Sequence, residues 1–429
     1  MKLSRRSLLA TLGAGGLASL RGPGGLLAAD DQAAHAHHAG LPAIDAERIG
    51  KRVVQSLQPS PGERAILLYD PLYYPEIAGA IQAGLRAAGA QPVVTLTFDP
   101  PDIMRAEAAG SFPAPAPATS GAGFIPAERA GGPGGAPLAP PGSIIEARTV
   151  AFLRPLFEQA AMFLWLPTRE IAGDQRWERL LAASRARGIH FHWIMPLSNR
   201  APDEVATLSR LYERAILDTD YAALSREQDR LIAALRGCPV RITDARGTDL
   251  RLRVPADGWF HKNDGDMSPA RAATARSVRD REMEFPAGAL RFIPDVTSTE
   301  GKLVVASPVA GSAGPDTVTL EFVGGRAVRR HATKDDAGFA RLWDGFGGDI
   351  DKVGEIVIGT NPLLAGALPS GTLPYYGYGD GFVRVSMGDN WESGGTNRSP
   401  SGRPLWLFLE KATVECGGRV LVKEGRLVR

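Results

Sequence analysis

The sequence predicts an α/β N-terminal domain followed by an α+β, antiparallel-rich C-terminal domain. Three observations predict it. Short apolar runs alternate with helical periodicity as far as about residue 235. Beyond that point apolar and polar residues alternate around tight, Gly-containing turns. The chain has 429 residues, 44% of them hydrophobic, which is enough for two cores.

The first 30 residues stand apart. LSRRSLLATLGAGGLASLRGPGGLLAA carries Arg5–Arg6 ahead of a mildly apolar Gly/Ala segment and ends near small residues at Ala28 and Ala29. This is the layout of a twin-arginine export signal, so the mature protein is expected in the periplasm or secreted. Residues 31–44, with AHAHH at 34–38, read as a flexible tail.

The α/β domain is expected over 45–235. AILLYD reads as a buried strand, and Ile77, Ile81, Leu85 and Ala88 then recur at helical spacing, with Gly89 as the stop. PVVTLTFD supplies a second strand, giving a parallel βαβ crossover. No Gly-rich phosphate loop accompanies it, so nucleotide binding has no support. Residues 108–143 are dominated by Pro, Gly, Ala and Ser and read as an extended surface insertion. A helix then leads into strand AMFLWL, followed by a helix at RWERLLAASRARG and a strand at IHFHWIMP. On that strand His190 and His192 share one face, which we read as structural rather than as a metal pair. One long helical stretch ending at Gly237 closes the domain.

Residues 236–429 read as the strand-rich domain. PVRITDARGTDLRLRVP is a hairpin, KLVVASPVA a strand, and TVTLEFVGGRAVRRHA a hairpin turning at Gly324–Gly325. A helix around FARLWDGF precedes strands in VGEIVIGTNP, GFVRVSMGDN and GRVLVKEGRLVR.

Composition narrows the partners. A net charge of +2 leaves no electrostatic footprint for nucleic acid, and no apolar run beyond the signal is long enough for a bilayer. A small-molecule or peptide ligand is the remaining expectation. Cys238 and Cys416 read as two separate core cysteines, with a disulfide as the alternative.

GTDLRLRV, GEIVIGTNP, GDNWESGGTNRS and the terminal GRVLVKEGRLV, in that order, resemble the aminopeptidase T/aminopeptidase S family of metallo-aminopeptidases. The N-terminal ERAILLYDPLYYPEIAGAIQAGLRAAGAQPVV is similar to that family's first domain. The resemblance implies a two-domain homodimer in which two divalent ions, held by glutamates, histidines and an aspartate, activate water against a peptide bond. It also implies relatives that open hydroxypyridine rings with one iron.

Most of the implied ligands are replaced here. Glu355 matches the family's Gly-Glu before its GTN. Ala289 stands where a glutamate is expected, Arg384 where a histidine is expected, and SPSGRPLWLF supplies neither the last His nor the Asp. A divalent metal (zinc, cobalt or iron) therefore requires a rebuilt site, from Glu355, Asp295, Glu300 or His261; a metal-free site is the alternative. On the strand through 382–387, Arg384 faces away from the apolar set Val383, Val385 and Met387, and is expected to face Glu355. Arg384, Tyr376 and Tyr378 are the candidate catalytic residues, and Asn397 and Asp380 the candidate substrate-binding ones. GDN and GGTNRS read as turn scaffold. The functional expectation is an exported hydrolase of peptide-like substrates with a rebuilt or degenerate metal site. The alternatives are a metal-free binding protein or pseudoenzyme and a ring-opening dioxygenase relative.

Overall fold

The computed structural model describes residues 42–69, 74–97, 151, 153–166, 176–191, 202–307, 316–365 and 375–429. The expected export signal at 1–30, the AHAHH run, the 108–143 stretch and His192 lie outside them.

The first half runs α1 (Ala46–Leu57), β1 (Arg64–Tyr69), α2 (Pro75–Ala87), β2 (Gln91–Thr97), β3 (Met162–Trp165), α3 (Arg176–Ala182), β4 (Arg187–Phe191), α4 (Pro202–Leu217) and α5 (Tyr221–Leu235). β1 and β2 are parallel, as a βαβ crossover requires. β1 is apolar from Ala65 to Leu68 because both of its faces are covered there. Leu67 joins a core with Ile77, Ile81 and Leu85 of α2, while Ile66 and Leu68 meet Phe157 and Leu180 on the other side. The long helical stretch is two helices. It breaks where Asp220 caps α5 by accepting a hydrogen bond from the Ala223 amide at 2.9 Å.

The second half runs β5 (Pro239–Thr243), β6 (Asp249–Arg253), β7 (Phe260–Asn263), α6 (Pro269–Ala273), β8 (Glu282–Phe285), β9 (Ala289–Phe292), β10 (Glu300–Ala306), β11 (Thr317–Val323), β12 (Arg326–Ala332), α7 (Asp336–Phe346), β13 (Val353–Gly359), β14 (Val383–Gly388), β15 (Pro404–Leu409), β16 (Thr413–Cys416), β17 (Arg419–Lys423) and β18 (Arg426–Leu427). Eight of these strands form one antiparallel sheet, β12-β11-β10-β6-β5-β16-β17-β18, and five form another, β15-β14-β13-β9-β7. The two sheets bury Leu250, Leu303 and Val318 of the first against Ile356, Val385 and Leu407 of the second.

Two expectations need correction. β8 belongs to the second half, yet it pairs in parallel with β4 and completes the sheet β2-β1-β3-β4-β8. A sheet therefore crosses residue 235. The reason is visible in β8, where Met283 and Phe285 bury into the same core as Leu67 and Ile189. The cysteines are also not separate: Cys238 and Cys416 form a disulfide with Cα atoms 5.9 Å apart. β16 runs antiparallel to β5 with Cys416 opposite Val240, which brings the end of β16 beside Cys238.

Candidate functional site

Sheet pairing sets the site. His261, Arg291, Val357, Arg384 and Phe408 lie in one row across β7, β9, β13, β14 and β15. Neighbouring residues turn inward to the sandwich, so this row lines the outer face of the five-stranded sheet. Val357 and Ala289 on that face join the core beneath the parallel sheet. At the carboxyl ends of the parallel strands, Trp165, His190 and Glu284 sit side by side through the β3–β4 and β4–β8 pairings. That end of an open α/β sheet is where ligands ordinarily bind.

One buried ionic chain joins the two regions. Arg279 donates through Nη1 to Glu282 at 2.7 Å and to Glu284 at 3.0 Å, and through Nη2 to Glu392. Glu282 is also 3.3 Å from His190 Nδ1, and the His190 ring stacks on Trp165 at 3.9 Å. Glu284 accepts from Arg291 Nη2 and from the Tyr378 hydroxyl. Arg291 Nη1 and Arg384 Nη2 both donate to Glu355 Oε1, at 3.0 and 2.9 Å, and Ser393 Oγ donates to Oε2 at 2.9 Å. Arg384, 1% exposed, also donates to the Tyr376 carbonyl at 3.3 Å and lies 4.7 Å over the Trp406 ring. Tyr376 itself has φ of 49°, in the left-handed region.

Burial and charge pull against each other here. Burial pushes the Glu355 carboxyl up, but Arg291 and Arg384 more than reverse this and hold it below the ordinary range. Glu282 is likewise raised by burial and brought below the ordinary range by Arg279 and His190. Burial raises Tyr378, keeping its hydroxyl a donor. Arg384 is lowered by burial and by Arg291, but a guanidinium stays charged at any physiological pH.

The expected residues divide. Arg384 meets Glu355 and the Tyr376 carbonyl, Tyr378 joins the same chain through Arg291 and Glu284, and His261 stands beside Arg291 in the row. The His261 Nδ1 is 3.8 Å from Asp280, and its Nε2 has no partner among the described residues. Asp295 turns away: it caps its own turn at Thr297, which lowers its pKa. Glu300 opens β10 in the other sheet and accepts from the Gly324 amide at 2.6 Å. Asp380 pairs with Arg429 at 3.0 Å, and burial raises it. Asn397 is held within its loop, its amide donating to Asn390 Oδ1 at 2.9 Å, while Asn390 Nδ2 donates to the Gly354 carbonyl at 2.8 Å. GDN and GGTNRS are thus a self-bonded scaffold that carries Glu392 and Ser393 into the chain.

Sequence reasoning missed Arg279, Glu282, Glu284, Arg291, Glu392 and Ser393. The run RDREMEF held a signal, since Glu282 and Glu284 alternate with Met283 and Phe285 as on a strand with one polar face.

The chain is similar in fold to two solved enzymes. A 2,5-dihydroxypyridine dioxygenase from Pseudomonas putida KT2440 matches with TM-score 0.58 and 16% identity, over 89% of this chain and 96% of its own. Wild-type AmpT from Thermus thermophilus matches with TM-score 0.56 and 15% identity, over 90% of this chain and 99% of its own. No family model and no curated protein matches the sequence. At these identities the likeness reaches the fold, which is aminopeptidase-like, and no further.

The implied divalent cations do not fit the donor set. Both oxygens of Glu355 are engaged, and two of their three donors are fixed cations. A divalent ion about 4 Å from a guanidinium, at an effective dielectric of about 20, meets roughly 8 kcal/mol of repulsion. Among the described residues, no group of three or more His, Cys, Asp or Glu is placed to hold a metal.

Proposed function

We propose that this protein is an exported, metal-independent ligand-binding protein on an aminopeptidase-like scaffold. It takes a small-molecule or peptide-like ligand at the Glu392 end of the ionic chain and works as a homodimer. One observation carries the reading: the carboxylate that matches the implied metal ligand, Glu355, is shared by Arg291 and Arg384. Guanidinium groups supply there the positive charge that a metal supplies in a hydrolase. The dioxygenase and AmpT likenesses support the scaffold and leave the chemistry to the site.

Metal analysis of protein purified after export, together with a panel of aminoacyl and peptide amides, tests it. The expected result is substoichiometric metal, no chelator-sensitive turnover, and a ligand from the panel that raises the Tm. A stoichiometric divalent ion with chelator-sensitive hydrolysis would restore the aminopeptidase reading. Export is tested separately: with Arg5 and Arg6 both replaced by Lys, precursor should stay in the cytoplasm, and unchanged periplasmic yield sinks that part.

A further inference from the structure

The amino ends of the parallel strands border an open cleft of about 720 Å³, a size within the range of small-molecule sites. Glu63 stands just before β1, Ala161 just before β3 and Arg281 just before β8, while Arg187 opens β4. Strand polarity puts the cleft at the end of the sheet opposite to Trp165, His190 and Glu284. Its cations are not alike. Arg187 is 4% exposed and fully engaged: it grips both oxygens of Glu63 at 2.9 and 2.8 Å and donates to the Leu57 and Met267 carbonyls. Arg281 is half-buried and donates only to neutral groups at the C-terminal end of α3. Its Nη1 reaches the Ser184 and Ala186 carbonyls at 2.6 and 3.1 Å, and its Nη2 the Leu181 carbonyl at 2.9 Å. Its chain neighbour Asp280 accepts instead from the Trp259 indole and the Arg276 and Ser277 amides.

A guanidinium has five N–H groups. The three bonds of Arg281 leave Nε–H and one Nη2–H without an acceptor among the described residues, a pair suited to gripping two oxygens of one anion. Arg185, exposed on the same cleft, supplies a second cation with no carboxylate partner among the described residues. We propose that this cleft binds a small organic oxyanion, a carboxylate or a phosphate, through the free edge of Arg281 and through Arg185. The anion's carbon body then lies against Ala272 and Ala275, the small apolar side chains of and just after α6 that line the cleft. Arg187 and Glu63, already paired, brace the cleft and take no part. The environment of Arg281 agrees. Burial lowers its pKa and the Asp280 charge restores only part of the loss, as for a cation withdrawn from water without a partner. The site stands apart from the ligand proposed at the Glu392 end, with which it shares no residue.

Isothermal titration of the full chain with succinate, glycerol 3-phosphate and inorganic phosphate, and with ethylammonium as the cationic control, tests the site. The expected result is one succinate or glycerol 3-phosphate bound per chain, weakened about tenfold or more in Arg281→Gln and in Arg185→Glu. Tighter binding of succinate assigns a carboxylate, and tighter binding of glycerol 3-phosphate assigns a phosphate. Inorganic phosphate should bind more weakly than the preferred probe; equal affinity overturns the role of the carbon body. Arg281→Gln also removes bonds at the end of α3, so Arg185→Glu, a surface change that leaves the fold intact, decides where the first variant does not fold. The same titration in Glu392→Gln should give the wild-type affinity, and a matching loss there overturns the placement. No heat from any of the three anions at millimolar concentration overturns the proposal. So does anion binding that Arg185→Glu leaves unchanged, or uptake of ethylammonium in place of the anions.

Discussion

Glu355→Gln is the sharpest perturbation of the ionic chain. Arg291 keeps Glu284 as a partner when Glu355 loses its charge. Among the described residues, Arg384 then keeps no anionic partner, only the Tyr376 carbonyl, the Trp406 ring and an uncharged amide oxygen, at 1% exposure. It becomes a buried cation without a counter-charge, and removing one partner of such a pair costs about 3–5 kcal/mol. Arg384→Met is milder, because Glu355 retains Arg291 and Ser393, and a loss of about 1–3 kcal/mol is expected. In the double variant the stranded cation no longer exists, so it should be more stable than Glu355→Gln alone. The coupling should therefore exceed the Arg384→Met loss itself, reaching about 3 kcal/mol. Urea unfolding followed by circular dichroism and tryptophan fluorescence measures this where the two transitions coincide. If the two losses simply add, within about 0.5 kcal/mol, the pair is not energetically joined and the reasoning fails.

Two further outcomes concern the frame around the site. Replacing Cys238 and Cys416 together with Ser, across a separation of 178 residues, should lower stability by about 2–5 kcal/mol, and an unchanged urea midpoint would refute the bracing role. Gly395→Ala would put a Cβ 2.2 Å from the Asn390 amide and break the bonds that tie GDN to GGTNRS. A loss of about 2–4 kcal/mol is expected, matched by Asn390→Ala; a neutral Gly395→Ala denies that the loop depends on Asn390.

Legibility in the sequence followed periodicity. β5, β6 and β11 alternate cleanly, and β5–β6 and β11–β12 were readable as hairpins from their Gly-containing turns. The parallel strands β1 and β3 were readable as apolar runs because both of their faces are buried. β8 and β9 were not, being four residues each, with charged residues on the strand. The site was half legible for the same reason. Alternation on β14 sent Arg384 outward, and the resemblance marked Glu355, so their pairing could be expected. Arg279, Glu284 and Arg291 come from segments whose alignment depends on β8 joining the other sheet, and no local pattern encodes that pairing. Asp295 and Glu300 failed because nearness in sequence to a missing ligand says nothing about which of two sheets a strand joins.

A site that carries its cations on side chains differs in kind from one that recruits them. A metal bound from solvent stabilises the folded state by mass action, about 2.7 kcal/mol at a hundred times its Kd, and chelation removes that increment. For a domain of this size, such a loss moves the Tm by several degrees. Arg279, Arg291 and Arg384 cannot be chelated, and they neutralise Glu282, Glu284 and Glu355 at any metal concentration. The Tm in excess chelator should therefore equal the Tm in excess zinc, cobalt or iron. The same comparison in Arg384→Ala should also show no metal gain, because Arg291 still occupies Glu355 Oε1. A Tm that falls by several degrees in chelator and returns with one of these ions would mean that a divalent cation holds this face together. The ionic chain would then no longer account for the balance of charge.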